Sequence, residues 1–207
     1  MTTIGIIDYG MGNLTSVRNA FLALDSHVVV LDQPDRLPEV SHIVLPGVGA
    51  FGDGMKNLRE RGWVPAMERE AIQNKKPFLG ICLGLQLLAR RGTEHGENTG
   101  LGWIPGDVVR LPDHGGSLRV PHIGWNDVTP VHKNSVYRDG FDQLGIFYFV
   151  HSFHFVPDDP AVVDGWCEYG TRFAASISLN NIWAVQFHPE KSQTAGLQVL
   201  RNFLATV

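Results

Sequence analysis

The sequence predicts an α/β fold with a central, mostly parallel sheet, helices on both faces and extra antiparallel strands in the C-terminal half. In the first part of the chain, apolar segments with strand and helix periodicity alternate. From Gly102 onward the apolar segments are short and separated by turn residues. The chain has 207 residues, of which 43% are hydrophobic, enough for a sizeable core. We therefore expect a single domain spanning residues 1–207.

The N-terminal elements follow the order of repeated βα units. Residues 4–8 form a short buried strand, and Asn13 or Thr15 can cap the helix that follows it. The next predicted elements are strands at 27–31 and 41–45, a helix at 64–72, a strand at 78–81 and a helix at 83–90. Strands that alternate with helices in this way favour a parallel sheet.

The C-terminal half is dominated by strands and turns. Strands are predicted at 108–111, 123–128, 147–153, 166–169, 174–178 and 182–187. Their short connections favour antiparallel or mixed pairing. The glycine pair within 113–117 is typical of a surface loop. The last helix places Leu197, Leu200, Phe203 and Leu204 on one face, which should dock onto the core.

Composition argues against several classes of function. Seventeen basic and twenty-one acidic side chains give a net charge of -4, and no basic cluster suggests nucleic-acid binding. No apolar run approaches a membrane span, and the N-terminus lacks the basic region of a signal peptide, so we expect a cytoplasmic protein without membrane contact. Cys82 and Cys167 are far apart, which favours neither a disulfide framework nor a zinc site.

A glycine pair follows the first predicted strand, as it does in dinucleotide-binding motifs. Gly10 and Gly12 fit that pattern, but Thr15 stands where the third glycine belongs, and Asp32 is the only acidic candidate for a ribose contact. We interpret the segment as a tight turn and expect no cofactor.

The motif Gly80-Ile-Cys82-Leu-Gly84 lies where a buried strand is predicted to become a helix. This arrangement is typical of a nucleophile elbow, whose central residue is strained and whose neighbours must lack side chains. The following helix directs N–H groups and positive dipole at the sulfur, which favours a thiolate. A buried structural cysteine is the alternative for this segment alone. Cys167 lies in a predicted strand and is expected to be structural.

A cysteine nucleophile needs a base, and His188 and Glu190 follow an apolar strand. In an extended chain residues two apart share a face, so the carboxylate would orient the imidazole towards the thiol. A surface turn closed by Pro189 is the alternative. His151 and His154 are predicted on opposite faces of one strand, so no shared metal is expected.

Three further histidines, His95, His114 and His132, are predicted in solvent-exposed loops. The glycines of Gly47-Val48-Gly49, after the third strand, would allow a backbone N–H to turn towards a developing oxyanion. An ordinary turn before a helix is the alternative for this loop.

The chain resembles the class I (triad) glutamine amidotransferases, which have a flavodoxin-like domain. The resemblance rests on GICLGLQ at 80–86 and FHPE at 187–190. Three further segments are similar to the glutaminase subunits of imidazole glycerol phosphate synthases: DYGMGN at 8–13, PGVGAF at 46–51 and PHIGWN at 121–126. The family's pattern continues through Lys191 and Ser192.

The resemblance implies that Cys82, His188 and Glu190 hydrolyse glutamine. The oxyanion would be met by the N–H of Leu83 and one from the 47–49 loop, while Gln86 and the His151-Ser152 backbone help to hold glutamine. Ammonia would pass to a (β/α)8 cyclase subunit in a heterodimer. That partner makes imidazole glycerol phosphate and aminoimidazole carboxamide ribotide in histidine biosynthesis. The residues expected at the ammonia path and the partner interface are Asn13, Trp125, Tyr148 and Lys191.

Two other functions remain open at this stage. A paralogue with the same glutaminase chemistry would supply ammonia to a different synthetase, such as one that amidates a sugar. A catalytically silent binding subunit could also use this fold, although the complete set of Cys82, His188 and Glu190 argues against it.

Overall fold

The computed structural model describes residues 2–131, 136–141 and 144–206 and contains two sheets. The strands, in chain order, are β1 (Thr3–Ile7), β2 (His27–Leu31), β3 (His42–Gly47), β4 (Phe78–Cys82), β5 (Arg91–Gly92), β6 (Asn98–Thr99), β7 (Gly106–Arg110), β8 (His122–Pro130), β9 (Gly145–His151), β10 (Phe153–Pro157), β11 (Val163–Glu168), β12 (Arg172–Leu179) and β13 (Ile182–Val185). His132, predicted in a loop, lies outside the described residues.

The α-helices are α1 (Leu14–Leu22), α2 (Phe51–Glu60), α3 (Trp63–Met67), α4 (Leu83–Gln86) and α5 (Gln193–Leu204). A π-helical stretch, Glu68–Gln73, continues α3, and short 3-10 turns cover Pro34–Glu39, Pro160–Val162 and Pro189–Lys191. Within the described ranges, none of these helices has the length and apolar character needed to cross a bilayer.

The larger sheet combines a parallel half with an antiparallel half, as predicted. It has nine strands in the order β2-β1-β3-β4-β13-β12-β11-β8-β9. Pairing is parallel from β2 through β13 and antiparallel from β13 to β9. The smaller sheet has four strands in the order β10-β7-β5-β6.

Helices cover both faces of the larger sheet. Val17 and Phe21 of α1 join Leu200 and Phe203 of α5 in one buried cluster. Leu58 of α2 and Trp63 of α3 belong to a second buried cluster. Alternate residues of β1 divide between the clusters, as the period of a strand requires. The carboxyl ends of the parallel strands are thereby fixed from both sides.

The helix predicted at 83–90 is wrong in length, because α4 ends at Gln86. The Arg90 N–H instead donates to the Gly106 carbonyl at 3.0 Å, and Arg91 pairs with Asp107 in the smaller sheet. Hydrogen bonds to a distant strand replace those of a longer helix.

The strand predicted at 147–153 is also wrong, because it divides between the two sheets. β9 ends at His151 and β10 begins at Phe153, so Ser152 is the link. His151 and His154 therefore belong to different strands, not to opposite faces of one. This division places the backbone at Ser152 beside the carboxyl end of β4.

Candidate active site

Cys82 is the last residue of β4 and immediately precedes α4. Its φ of 54° and ψ of -104° lie in a region that non-glycine residues rarely adopt. The side chain is only 6% exposed. This is the strained strand-to-helix turn that the motif predicts.

Glycine is required on both sides of Cys82 because the turn is tightly packed. A Cβ at Gly80 would lie 2.7 Å from the carbonyl oxygen of Gly84. A Cβ at Gly84 would collide with the carbonyl oxygen of Leu45. Any side chain at either position would therefore displace backbone and open the turn.

His188 and Glu190 form a short hydrogen bond, with 2.7 Å between His188 Nδ1 and Glu190 Oε1. Both side chains are almost fully buried. The sequence spacing predicts that both residues lie in extended chain, and this is correct for only one of them. His188 is extended, but Glu190 lies in the 3-10 turn Pro189–Lys191, which folds its carboxylate back onto the ring. The carboxylate accepts a hydrogen bond from Nδ1–H and leaves Nε2 as the free nitrogen of the ring.

The charge state of His188 is set by opposing effects. Burial lowers its pKa, but the nearby sulfur of Cys82 and the hydrogen-bonded carboxylate of Glu190 outweigh burial and raise the pKa to about 10. The imidazolium is thus stabilised between a sulfur and a carboxylate. Such a pairing is what activates a cysteine nucleophile.

The loop Gly47-Val48-Gly49 lies next to the nucleophile. Gly47 is paired with Cys82 across β3 and β4, while Val48 and Gly49 line a cavity beside Cys82. Gly49 has a φ of +112°, and a Cβ there would approach Met11 Cε to 2.8 Å. The loop is therefore held between the β4–α4 turn and the loop that follows β1.

The cavity beside Cys82 has a volume of about 430 Å³, within the range of small-molecule sites. Its lining comprises Val48, Gly49, Ala50, Cys82, Leu83, Gln86, Glu94, Pro121, Val150, His151, Ser152 and Phe153. It thus brings together the residues expected from the sequence to bind substrate and oxyanion, apart from Gly47. Gln86 is anchored by Nε2, which donates to the Phe153 carbonyl at 2.9 Å.

Two polar residues at the site were not singled out from the sequence. Glu94 lines the cavity, and its Oε2 accepts a hydrogen bond from the Phe51 N–H at 2.9 Å. Gln186 is fully buried, and its Nε2 lies 3.7 Å from Cys82 Sγ as a hydrogen-bond donor. Gln186 directly follows β13 and is two residues before His188, whereas nothing in the sequence around Glu94 indicates the cavity.

The triad turn is also tied to strand β9. The His188 N–H donates to the Tyr148 carbonyl at 2.9 Å, and the Tyr148 N–H donates to Ser192 Oγ at 3.0 Å. Ser192 Oγ in turn donates to the His188 carbonyl at 2.6 Å. Both main-chain groups of Tyr148 are thus bonded to the segment that carries His188.

Three of the residues expected at the partner interface cluster outside this turn. The Trp125 and Tyr148 rings are 6.0 Å apart, and Lys191 Nζ lies 5.9 Å from the Tyr148 ring. Asn13 caps α1, with its Oδ1 accepting from the Ser16 N–H at 3.2 Å. α1 packs against the 3-10 turn that contains Glu190. The structure thus groups Trp125, Tyr148 and Lys191, with Asn13 at the end of a neighbouring helix.

Cys167 has a different environment from Cys82. It is 1% exposed in β11, and burial, with smaller effects from nearby acids, raises its pKa to about 12. A thiol in this state is unreactive near neutral pH. No group of three or more potential metal ligands occurs among residues 2–131, 136–141 and 144–206.

The chain matches a known family and several named relatives over nearly its whole length. The family model described as "Glutamine amidotransferase class-I" matches residues 5–207. Imidazole glycerol phosphate synthase subunit HisH of Moorella thermoacetica is 48% identical, covering 98% of this chain and 94% of the relative. The protein of the same name from Aquifex aeolicus is 49% identical, covering 96% and 94%.

Solved structures share the fold at lower sequence identity. The structure of PurLQS from Thermotoga maritima has a TM-score of 0.78 at 18% identity, covering 98% of this chain and 97% of that one. A glutamine amidotransferase from Thermotoga maritima has a TM-score of 0.71 at 20% identity and 99% coverage of both chains.

Proposed function

The chain belongs to the class-I glutamine amidotransferases, and we propose that it is the glutaminase subunit of an imidazole glycerol phosphate synthase. It hydrolyses glutamine to glutamate and supplies the ammonia to a cyclase subunit in histidine biosynthesis. Relatives that carry this subunit's name are 48% and 49% identical over nearly the full length. The family model covers 5–207, which supports our proposal that residues 1–207 act as one domain. We also propose that the protein acts in the cytoplasm, as expected from the sequence.

The observation that carries the proposal is the position of Cys82. It forms a strained turn at the wall of a cavity, next to a His188 imidazole that Glu190 holds by a 2.7 Å hydrogen bond. These are the nucleophile, base and orienting group of acyl transfer. A catalytically silent subunit would have no use for the strained turn.

The first half-reaction forms a thioester. Cys82 Sγ attacks the amide carbon of glutamine, and the C=O electron pair moves to the oxygen. The Leu83 N–H and an N–H from the 47–49 loop stabilise that oxyanion. His188 then gives its Nε2 proton to the departing nitrogen, so that ammonia leaves when the C–N bond breaks.

The second half-reaction regenerates the enzyme. His188, now neutral at Nε2, accepts a proton from water, and the hydroxide attacks the thioester carbon. The C–S bond breaks, glutamate leaves and the sulfur regains its negative charge beside the imidazolium. Glu190 accepts the hydrogen bond from Nδ1–H throughout, so this proton stays on Nδ1 and the ring keeps one tautomer.

Glutamine is an amino acid, and the cavity lining suits its two ends. The side-chain amide would lie at Cys82, with Gln86 and the His151-Ser152 backbone beside it. The Glu94 carboxylate, on the same cavity, is complementary to the α-ammonium group of the substrate.

The partner-facing surface, which we call the docking face, combines the exposed face of strands β8 and β9 with one residue of the 3-10 turn Pro189–Lys191. Its members are Ile123, Trp125, Ile146, Tyr148 and Lys191. Ile123, Trp125 and Ile146 are 60%, 49% and 54% exposed. Exposed apolar side chains together with an aromatic pair are typical of a protein interface. We propose that a (β/α)8 cyclase binds here in a heterodimer and receives ammonia near Asn13 and Lys191.

The first prediction tests the nucleophile in the assembled complex. Cys82→Ala should abolish glutamine-dependent synthesis, because no other cysteine lines the cavity among the described residues. Ammonia-dependent synthesis by the cyclase should persist. Product formation with each nitrogen source measures both activities, and a glutamine analogue with an electrophilic δ-carbon should label Cys82.

Labelling of Cys167 instead would contradict the assignment, and Cys167→Ala is the matched control that should keep both activities. Copurification of the native partner distinguishes the cyclase from another synthetase. Recovery of a different synthetase would identify a paralogous glutaminase with the same chemistry.

A further inference from the structure

A continuous set of hydrogen bonds runs from β8, beneath the docking face, to the nucleophile. We call it the buried relay, and its members are Asn126, His122, His151, the Phe153 carbonyl, Gln86 and Gln186. His122 is 2% exposed and does not line the cavity. The catalytic steps above leave it without a role.

The direction of the first bonds is fixed by the Asn126 amide. Asn126 Oδ1 accepts from the Asp127 N–H at 2.8 Å, and Nδ2 donates to the Glu168 carbonyl at 2.9 Å. The same Nδ2 lies 3.3 Å from His122 Nε2. His122 Nε2 must therefore accept, and Nδ1 must carry the proton.

That proton fixes the next histidine in turn. His122 Nδ1 lies 3.1 Å from His151 Nε2, which therefore accepts. His151 Nδ1 then carries a proton and donates to the Phe153 carbonyl at 2.9 Å. Burial lowers the pKa of His122 to about 4 and that of His151 to about 3, so both rings stay neutral.

From the Phe153 carbonyl the bonds continue to the sulfur. Gln86 Nε2 donates both to this carbonyl at 2.9 Å and to Gln186 Oε1 at 3.1 Å. Gln186 Nε2 is thereby oriented towards Cys82 Sγ, 3.7 Å away. Each amide and ring has one orientation that satisfies all its partners.

The ring of His122 is also held by packing. It stacks on Tyr169 with centroids 3.9 Å apart and on Phe149 with centroids 4.9 Å apart, both at 22°. A ring held between two others keeps its plane, so the direction of the Nδ1–H bond is preset.

We propose that His122 is a positioning residue for the glutaminase reaction and fixes Cys82 Sγ through the buried relay. The proposal rests on the glutaminase function proposed above. Without the donor at His122 Nδ1, the His151 Nε2 atom is left buried and unsatisfied. The His151 ring is then free to change tautomer or rotate. The Phe153 carbonyl then loses the donor from His151 that fixes its position, and the Gln86 amide that donates to the same carbonyl can shift with it. The Gln186 amide and the sulfur thereby lose their alignment.

Two substitutions of His122 by an amide side chain distinguish a positioning role from a role in packing alone. His122→Asn places an N–H donor where Nδ1 stood, whereas His122→Gln places its amide near Nε2. We expect His122→Gln to lower kcat/KM for glutamine about 10-fold in the complex, and His122→Asn to stay within about 3-fold of wild type. Iodoacetamide should alkylate Cys82 more slowly in His122→Gln than in His122→Asn.

A second substitution tests the connection to the sulfur. Gln186→Met removes the terminal donor, and combined with His122→Gln it should be no worse than the more severe single change. His154→Asn is the control, because His154 is a buried histidine outside the relay. Equal activity of the two amides at 122, or fully additive losses in the double variant, would overturn the proposal. The glutaminase function alone would be rejected by a different result: Cys82 is alkylated more slowly in His122→Gln than in His122→Asn, but the wild-type complex does not hydrolyse glutamine.

Discussion

At the scale of single residues, Glu94 leads to a second prediction. Glu94→Gln should raise KM for glutamine about 10-fold with kcat nearly unchanged, because a neutral amide binds an ammonium group more weakly than a carboxylate does. The Gln oxygen can still accept from the Phe51 N–H, so α2 should keep its start.

Steady-state kinetics of the complex measure both constants. Glu97→Gln is the matched control, since Glu97 is exposed and pairs with Arg91 at 2.9 Å. A fall in kcat with constant KM would place Glu94 outside the substrate site.

The residues that were predictable from the sequence are those whose chemistry lies in one short segment. Cys82 is identified by its two neighbouring glycines, and Glu190 is close to His188 in the chain. Glu94 and Gln186 become functional candidates only in the folded chain, because folding brings Glu94 to the cavity wall and the Gln186 amide to the Cys82 sulfur. Their own neighbours in the sequence carry no signal for that contact.

At the scale of elements, the loop Gly47-Val48-Gly49 leads to a third prediction. We expect the lone chain to hydrolyse glutamine poorly, and activity to rise when the partner is bound and occupied by its own ligand. Two glycines make peptide rotation cheap, so the loop can present either a carbonyl or an N–H to the oxyanion. Losing one oxyanion donor costs about 10²- to 10³-fold in kcat.

Kinetics of the lone chain, the complex and the complex with the cyclase ligand test this gating. The change should fall mainly on kcat, because the other glutamine contacts need not move. Full turnover by the lone chain, or activation in KM alone, would reject the role of the loop.

The docking face leads to a fourth prediction. Trp125→Ala should weaken partner binding about 30-fold, because a half-exposed aromatic in a protein interface is a frequent hot spot. Lys191→Ala should lower ammonia transfer and partner affinity. Titration calorimetry and the ratio of ammonia used to ammonia released measure these effects.

Val156→Ala is the control for the docking face, because Val156 is 44% exposed on β10 of the smaller sheet. If both docking variants keep wild-type affinity and transfer, the partner binds elsewhere.

Element prediction was accurate where local pattern and tertiary pairing agree, and wrong where they compete. β1 lies within one residue of its predicted bounds, and α1 begins directly after the Asn13 cap. The segment after Gln86 has the composition of a helix, yet Arg91 and Gly92 pair with β7. That pairing depends on residues that are distant in the chain, so no local pattern indicates it.

At the scale of the whole molecule, buried neutral histidines lead to a fifth prediction. Burial lowers the pKa of His122 and His154 to about 4 and of His151 to about 3, and it also lowers that of His42. Below an unfolded pKa of about 6.5, the unfolded chain binds protons that the folded chain does not. The free energy of unfolding should therefore fall as pH decreases from about 6.5 towards 4.

The contribution of His188 to the free energy of unfolding depends on pH in the opposite direction. Its pKa is raised in the folded chain, so its contribution is present below about 6.5 and is lost as pH rises towards about 10. The free energy of unfolding in urea, measured between pH 7 and 5, reports mainly on the buried histidines, because ordinary carboxylates titrate at lower pH, near 4. His154→Asn should reduce proton uptake on unfolding by about one, with exposed His95→Asn as the control. A urea midpoint of unfolding that does not change between pH 7 and 5 would contradict this role of the buried histidines.

The two hydrogen bonds of Tyr148 to the triad turn have a consequence for solubility. β9 is a terminal strand of the nine-stranded sheet, and an uncovered terminal strand offers its main chain to any other extended polypeptide. At Tyr148 that edge is already occupied by His188 and Ser192. The turn that carries the base therefore also shields this margin of the sheet from intermolecular strand addition, so variants that loosen it should aggregate as well as lose turnover.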